Sequence, residues 1–188
     1  MKRIILHWTG GTNQPNSKEF EHYHYLVNGD GLTIMGKYKP EDNLNCNDKK
    51  YAQHTGGGNT GSIGVAMCGM YGYVSPNHTG AHKLTKMQCE AMFKLVAKIS
   101  YCYNIPVTSD TIMTHYEFAK KHPKTSSAGK IDITYLPPYP EQAKDKIGDF
   151  IRNKIKSGVV TLTGVFALGR DFLGITCIEF QHFVFSLK

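Results

Sequence analysis

Histidines and an aspartate lie at or near the ends of predicted strands, and these residue types can bind a metal ion. His7 closes the apolar run RIILH, and His115 closes TIMTH. Asp132 lies in GKIDIT, which we predict to be extended. Two imidazoles and one carboxylate leave a fourth position for water, which is typical of a catalytic zinc site rather than a closed structural one. The three residues are therefore a candidate Zn²⁺ site at one end of a sheet, one of many triples that nine histidines offer.

Lys130 lies two residues before Asp132 and adds a positive charge beside the predicted ligand. In an extended segment the side chains at positions i and i+2 leave the same face. The residues alone leave two interpretations open. The pair is either an exposed ion pair worth ~0.5 kcal/mol, or an ammonium and a carboxylate of one active site.

Three further residues are candidates with an ordinary structural alternative. His54 lies in the glycine-rich loop AQHTGGGNTG and either contacts a ligand or is solvated. Tyr23 and His24 begin the strand-like run YHYLVN, where a strand aromatic and a hydrogen-bonded sheet histidine are the alternatives. The glycines at 56–58 do not form a phosphate loop, because no GK[ST] follows them and no helix begins there.

Strands and helices that could position these residues alternate irregularly along the chain. Short apolar runs predict strands at RIILH, YHYLVN, LTIMGKY and SIGVAMCGM, with a hairpin turn at GDG, 29–31. These segments do not follow a strict strand–helix–strand order. The pattern predicts an α/β fold, a single domain in which a mixed central β-sheet is flanked by helices.

Two segments have the apolar periodicity of amphipathic helices. The first, LTKMQCEAMFKLVAKISYCYNIP, is predicted to begin with a capping box and to bury one stripe: Thr85 and Gln88 form the box, and Leu84, Met87, Ala91, Leu95 and Ile99 form the stripe. The second, PEQAKDKIGDFIRNKIKSG, is predicted to end at a glycine cap after burying four residues: Gly158 is the cap, and Ala143, Ile147, Phe150 and Ile151 point inward.

Length and composition limit the number of domains. The 188 residues, 40% of them hydrophobic, suffice for one substantial core. We predict a domain at 1–155 and an apolar C-terminal extension of unknown role at 156–188. Two interpretations of the extension stay open: an edge hairpin over IEFQHFVFSL, or a poorly ordered tail. No apolar run reaches the roughly 20 residues of a transmembrane helix, so no transmembrane segment is expected.

Charge and cysteine usage bear on partners and compartment. The net charge of +7 favours an anionic partner. No arginine-rich arm or basic helix with interleaved aromatics is present, so nucleic acid is not expected as that partner. Five scattered cysteines without a C-x-x-C pair indicate synthesis in a reducing compartment. The apolar residues before His7 are too few for a secretory signal, so we expect synthesis in the cytoplasm.

Five sequence blocks resemble the zinc-dependent N-acetylmuramoyl-L-alanine amidases, the type 2 family that includes peptidoglycan recognition proteins and phage amidases. The blocks are IILHWTGG, YHYLVNGDG, AQHTGGGNTGSIGVAMCG, MTHYEFA and GKIDITYLP, in the order of that family and within residues 1–153. The resemblance implies the amidase fold and zinc bound by His7, His115 and Asp132. It also implies a catalytic lysine at Lys130 and a site-lining tyrosine at Tyr23.

Two features of the sequence depart from the family pattern. Ala66 stands where some relatives carry a glutamate that helps to activate water, so the chain resembles the branch that uses the tyrosine. The basic stretch AKKHPKTSSA lengthens the segment between His115 and Asp132.

The resemblance implies hydrolysis of the amide between N-acetylmuramic acid and L-alanine in bacterial peptidoglycan. The expected protein is a monomeric endolysin of a phage or prophage, made in the bacterial host cytoplasm and acting on the cell wall after release. Peptidoglycan is its expected partner, and His24 and His54 are candidate substrate contacts. The alternative is a non-catalytic peptidoglycan-binding module on the same fold, since relatives that lack a zinc ligand bind without cutting. A regulatory role stays open as well, because some similar phage amidases bind a polymerase.

Overall fold

Five strands form one mixed sheet within residues 1–167, the part of the chain that the structure, a computed structural model, describes. They are β1 (Arg3–Trp8), β2 (Tyr25–Val27), β3 (Thr33–Met35), β4 (Ser62–Met67) and β5 (Ile112–Thr114). Their order across the sheet is β3-β2-β4-β1-β5. The β2–β3 pair is antiparallel, and the other neighbours are parallel. The predicted mixed central sheet is confirmed.

Four α-helices accompany the sheet in the described residues: α1 (Ser17–His22), α2 (Lys86–Cys102), α3 (His115–Lys121) and α4 (Ile147–Ala167). Two 3-10 helices, Pro40–Leu44 and Lys144–Lys146, lie in the connections. Side chains are described as far as residue 160. None of the described helices is long and apolar enough to cross a bilayer.

The alternation of side chains along β1 divides the core into two layers. Ile4, Leu6 and Trp8 belong to the large cluster that α2 and α4 complete. Ile5 points to the opposite face and packs with residues of β5 and α3. His7 shares the face of Ile5 by the same period of two, which puts it on the side of the sheet away from α2 and α4.

Helix α2 begins as predicted and buries Leu84, Leu95 and Ile99 of the predicted stripe. Thr85 caps the helix and forms the capping box with Gln88. Met87, predicted to be buried, is 65% exposed. The buried face also includes Cys89, Met92 and Val96, whose spacing of three and four residues matches the helical repeat. The prediction was wrong for Met87, which lies in the exposed first turn, and Ala91 is only half-buried.

Helix α4 continues beyond the predicted stop at Gly158 and runs to Ala167. A Cβ atom added to Gly158 would lie 3.0 Å from the Cβ of Ala97 in α2. The glycine therefore permits close approach of α2 and α4 instead of capping the helix. Ala143, predicted to point inward, is exposed. The predicted domain boundary at 155/156 falls inside α4, and the predicted hairpin at 178–187 lies outside the described residues.

Candidate metal centre

Three potential metal ligands meet at the carboxyl ends of β1 and β5. The Oδ2 atom of Asp132 lies 3.1 Å from Nδ1 of His7 and 3.0 Å from Nδ1 of His115. One ligand atom from each residue lies within 4.8 Å of the others. The structure thus brings the three predicted ligands together, although they come from distant parts of the chain.

The parallel strands explain why the two histidines are adjacent. His7 lies near the end of β1, where it is in register with Ala66 of β4. Leu6 of β1 is in register with Thr114, the last residue of β5, so the next residue, His115, lies beside His7. Their ring centroids are 4.6 Å apart. His115 is the first residue of α3, not the last of a strand, because Thr114 caps the helix.

The segment GKIDIT reaches the site as a turn, so the predicted extended conformation is wrong. Gly129 and Ile133 have positive φ angles of 78° and 61°. Thr134 N–H donates to the carbonyl of Ile131 at 3.1 Å, which closes the turn around Asp132. β-Branched residues rarely adopt a positive φ, but the side chain of Ile133 is fully buried in the core. Burial of that side chain anchors the turn that presents Asp132.

Charges and burial shift the pKa values of His7 and Asp132 in ways that suit metal binding. Burial, and then the nearby His115, lowers the pKa of His7 to about 4. Burial alone would raise the pKa of Asp132, but hydrogen bonds with His115 and His7 outweigh it and hold that pKa well below its usual value. His7 is therefore neutral and Asp132 is ionised at neutral pH, the states in which both are metal ligands.

The donor set fits a zinc ion. Ligand atoms on a tetrahedral zinc with bonds of about 2.1 Å lie about 3.4 Å apart. The contacts of Asp132 with the two histidines, at 3.0 and 3.1 Å, need to open by only a few tenths of an ångström. Three protein ligands leave one position free, as in catalytic rather than structural zinc sites.

Tyr23 and Lys130 flank the three ligands. The Tyr23 ring centroid is 5.2 Å from that of His7. Burial, and then the charge of Asp132, raises the pKa of Tyr23 far above its ordinary value, so its hydroxyl stays protonated. Lys130 is exposed, and its positive charge is near enough to contribute to the lowered pKa of His7. No ion pair joins Lys130 to Asp132, although both lie in the described part of the chain, so the surface-pair interpretation is not supported.

His24 and His54 lie beneath the site, not on its surface. His24 is fully buried; its Nε2 bonds to Oδ1 of Asn43 at 3.0 Å, and its Nδ1 accepts from Gly64 N–H at 2.9 Å. With both nitrogens paired inside the protein, His24 has a structural role in place of the predicted substrate contact. His54 is 6% exposed and touches Nε2 of His7 through its Nδ1 at 3.3 Å. His54 therefore lies behind His7, one of the predicted ligands, and contacts it.

Two hydroxyl groups behind the histidines were not predicted from the sequence. Thr55 Oγ1 lies 3.3 Å from Nε2 of His7, and Ser127 Oγ lies 2.9 Å from Nε2 of His115. Each sits in a loop rich in small polar residues, where a serine or threonine carries no distinguishing sequence signal. Only the fold shows which hydroxyl faces an imidazole.

Helix α4 supports the first turn of α3. Arg152 is buried and donates to both carboxylate oxygens of Glu117, at 2.8 and 3.0 Å, and to the carbonyl of Ile112. Glu117 in turn accepts from the N–H of Thr114 at 2.9 Å. This chain of contacts ties α4 to the residue that precedes His115.

A groove of about 420 Å³ opens on one side of the turn that carries Asp132. Ile131 and Thr134 contribute to its wall, together with Tyr73 and Tyr135, whose rings stack with centroids 6.3 Å apart. Apolar and aromatic walls of this kind suit contact with the apolar parts of a larger ligand.

A mixed α/β fold with two imidazoles and a carboxylate at the sheet edge defines a candidate metal centre of the catalytic type. The sequence profile of the N-acetylmuramoyl-L-alanine amidases matches residues 1–130. The chain therefore belongs to the N-acetylmuramoyl-L-alanine amidase family. The matched region includes His7, His115 and Lys130 and ends two residues before Asp132. No curated protein sequence matches the chain.

Solved structures with similar folds include PlyL, an N-acetylmuramoyl-L-alanine amidase and a complex of recognition proteins. PlyL is 23% identical, with 84% of each chain covered and a TM-score of 0.47. The N-acetylmuramoyl-L-alanine amidase LysC from Clostridium intestinale URNW is 17% identical, covering 62% of this chain and 70% of its own, with a TM-score of 0.43. The complex of peptidoglycan recognition proteins LCa and LCx with tracheal cytotoxin is 16% identical, covering 67% and 75%, with a TM-score of 0.43. These similarities are distant, and the family assignment rests on the sequence match.

Proposed function

We propose that this protein is a zinc-dependent amidase that cuts the bond between N-acetylmuramic acid and L-alanine in bacterial peptidoglycan. The observation that carries the proposal is the meeting of His7, His115 and Asp132 within 4.8 Å in a chain of the amidase family. A binding module that does not cut needs no such ligand set. The intact set therefore favours catalysis over the alternative of recognition alone.

The residues around the ligands suit amide hydrolysis. When bound, zinc polarises a carbonyl and brings the pKa of a water molecule towards roughly 7. His7, His115 and Asp132 would hold the ion and leave one side of it open. The remaining requirement is a positive or hydrogen-bonding group where negative charge develops on the carbonyl oxygen.

Lys130 meets that requirement. It is exposed, it is not paired with Asp132, and its charge already influences His7. Its ammonium is therefore free to donate to the oxygen on which charge develops, a contact stronger in the transition state than in the bound substrate.

Tyr23 has a different role because its pKa is raised. A hydroxyl that stays protonated at neutral pH donates a hydrogen bond instead of accepting a proton. We assign Tyr23 to orienting the attacking water or the substrate, beside His7. It does not act as the general base in this assignment.

The partner and the place of action follow from the same proposal. The net charge of +7 suits an anionic bacterial wall, and we propose that the protein acts there as a monomeric endolysin of a phage or prophage. Synthesis in the host cytoplasm followed by release would bring it to that substrate.

Cleavage of purified peptidoglycan tests this function. We expect new L-alanine amino termini to appear without new reducing sugar ends, to cease after chelation and to return when zinc is restored. The variant Asp132→Ala should still bind the wall but should not cut it. Cleavage that persists in chelator, or wall binding by the wild type without any cleavage in zinc, would exclude the zinc-dependent amidase; the second result would identify the binding module.

A further inference from the structure

We propose that Ser127 is a positioning residue for the metal centre, which holds the His115 ring so that Nδ1 is available to the metal. The inference rests on the proposed function, since it concerns the same three ligands. Ser127 lies in the basic stretch that separates His115 from Asp132, for which the sequence indicates no role. Its side chain is fully buried, and its hydroxyl faces His115.

Two contacts of the Ser127 hydroxyl determine the direction of its hydrogen bonds. Ser127 Oγ donates to the carbonyl of Gly56 at 2.8 Å and lies 2.9 Å from Nε2 of His115. A hydroxyl has one hydrogen and can accept as well. Because the Gly56 carbonyl can only accept, the hydrogen of Ser127 goes to it, and Ser127 then accepts from Nε2–H. A neutral imidazole with its hydrogen on Nε2 has a lone pair on Nδ1.

Asp132 opposes this arrangement when no metal is bound. Its Oδ2 lies 3.0 Å from Nδ1 of His115 and favours a hydrogen on that nitrogen. If the hydrogen of His115 is on Nδ1, then Nε2 is an acceptor. Ser127 would have to donate its hydroxyl hydrogen to Nε2, and the carbonyl of Gly56 would lose its hydrogen bond. The contact of Ser127 with Gly56 therefore lowers the free energy of the tautomer that a metal requires, relative to the tautomer that Asp132 favours.

Close packing of two loops fixes the carbonyl of Gly56 in place. A Cβ atom added to Gly56 would lie 1.9 Å from Oγ of Ser126, and one added to Gly57 would lie 2.6 Å from Cγ2 of Thr125. The absence of a side chain at both positions favours this approach of loop 54–58 to loop 122–128, and the φ of 74° at Gly57 is one that glycine adopts readily. Turn hydrogen bonds at Thr125 and Ala128, 3.1 and 3.0 Å long, shape the second loop. The glycine run and the basic stretch thus share one role, which is to place a buried hydroxyl behind His115.

Zinc affinity measured by competition with a chelator tests the proposal. We expect Ser127→Ala to weaken zinc binding by about 10-fold to 100-fold, the range found when a partner of a metal-bound histidine is removed. The control is Ser109→Ala, which removes a hydroxyl from an exposed residue outside both loops and should leave the affinity unchanged. Gly56→Ala, which displaces the accepting carbonyl without touching Ser127, should weaken zinc binding as well.

A second readout separates positioning from a general effect on the loop. In the zinc-loaded wild type, nuclear magnetic resonance should show a slowly exchanging Hε2 proton on His115, and Ser127→Ala should make it exchange rapidly. Equal zinc affinity in Ser127→Ala and wild type would overturn the proposal, as would an equal loss of affinity in Ser109→Ala. A wild type that binds no zinc would refute the proposed function, and this inference with it.

Discussion

Single residues of one short turn have separate roles in the metal centre. Asp132 bridges the two histidines through one oxygen, whereas Lys130 points into solvent without an ion partner among the described side chains. In the proposed zinc site, removing the carboxylate would take away a ligand. Removing the ammonium would take away only a charge that acts on the substrate.

We predict that Lys130→Ala and Asp132→Ala fail in different ways. Lys130→Ala should lower turnover by about 10²-fold or more, the loss typical of removing one oxyanion donor, while zinc stays bound. Asp132→Ala should release zinc and abolish turnover together. Steady-state kinetics and zinc content of the two purified variants provide the measurement. Loss of zinc from Lys130→Ala would contradict the division of roles.

At the scale of elements, the turn at 131–134 depends on a buried side chain in an unfavourable backbone conformation. Ile133 has a φ of 61° and is fully buried, whereas Ile131 nearby is 41% exposed. Strain of this kind, of the order of 1–3 kcal/mol, persists only where surrounding contacts outweigh it. Here the contacts are those of the isoleucine side chain with the core.

Ile133→Ala should therefore destabilise the protein, because the substitution loses the burial while the strain remains. We expect a loss of about 2–5 kcal/mol in the free energy of unfolding. Ile131→Ala, the matched control at the exposed position, should change it by less than about 0.5 kcal/mol. Denaturant unfolding of the two variants gives the comparison. Equal stabilities would show that Ile133 does not anchor the turn.

The ion pair between α4 and α3 gives a second prediction at this scale. Arg152 is buried and holds Glu117, so Arg152→Ala leaves a carboxylate of the capping box without its main partner. Because Glu117 keeps 22% of its side chain exposed, breaking this partly buried pair should cost about 2–3 kcal/mol, less than for a fully buried pair. Lys154→Ala removes a more exposed lysine two residues along α4 and should cost far less. Thermal unfolding of both variants measures these losses of stability. Similar losses in the two variants would contradict the prediction.

The elements also show how far the sequence alone leads. Strand periodicity and the Thr85 cap are local signals, and they predict β1, the start of α2 and the place of His7 correctly. The predicted conformation of GKIDIT was wrong because a tertiary contact, the burial of Ile133 in the core, overrides the local preference for an extended chain. The predicted end of α4 was wrong for a similar reason, since Gly158 permits close packing of α4 against α2. Ser127 and Thr55 have no local signal, because their partners are 12 and 48 residues away.

At the scale of the whole molecule, buried histidines make stability depend on pH. Burial lowers the pKa of His24 to about 4, and burial also lowers that of His54 well below its usual value. The unfolded chain, with histidine pKa values of about 6.5, binds protons at a pH where the folded protein does not. The free energy of unfolding is therefore highest above pH 6.5 and falls as the pH falls towards 4.

We predict a loss for His24 alone of about 3 kcal/mol in the metal-free protein between pH 7 and pH 4, from a pKa of 6.5 in the unfolded chain and about 4 in the folded one. Denaturant unfolding in chelator at several pH values provides the measurement, and His24→Gln should flatten the profile by that amount. Stability that does not vary across this range would show that the buried histidines become protonated without cost.

The central claim is that His7, His115 and Asp132 form a zinc site, and zinc content tests it most directly. Metal analysis of the purified wild type should give about one zinc ion per chain, and His7→Ala should lose it. Release of the metal should accompany the loss of peptidoglycan cleavage. A wild type that cleaves peptidoglycan without bound zinc, or a His7→Ala variant with unchanged zinc content, would contradict the account.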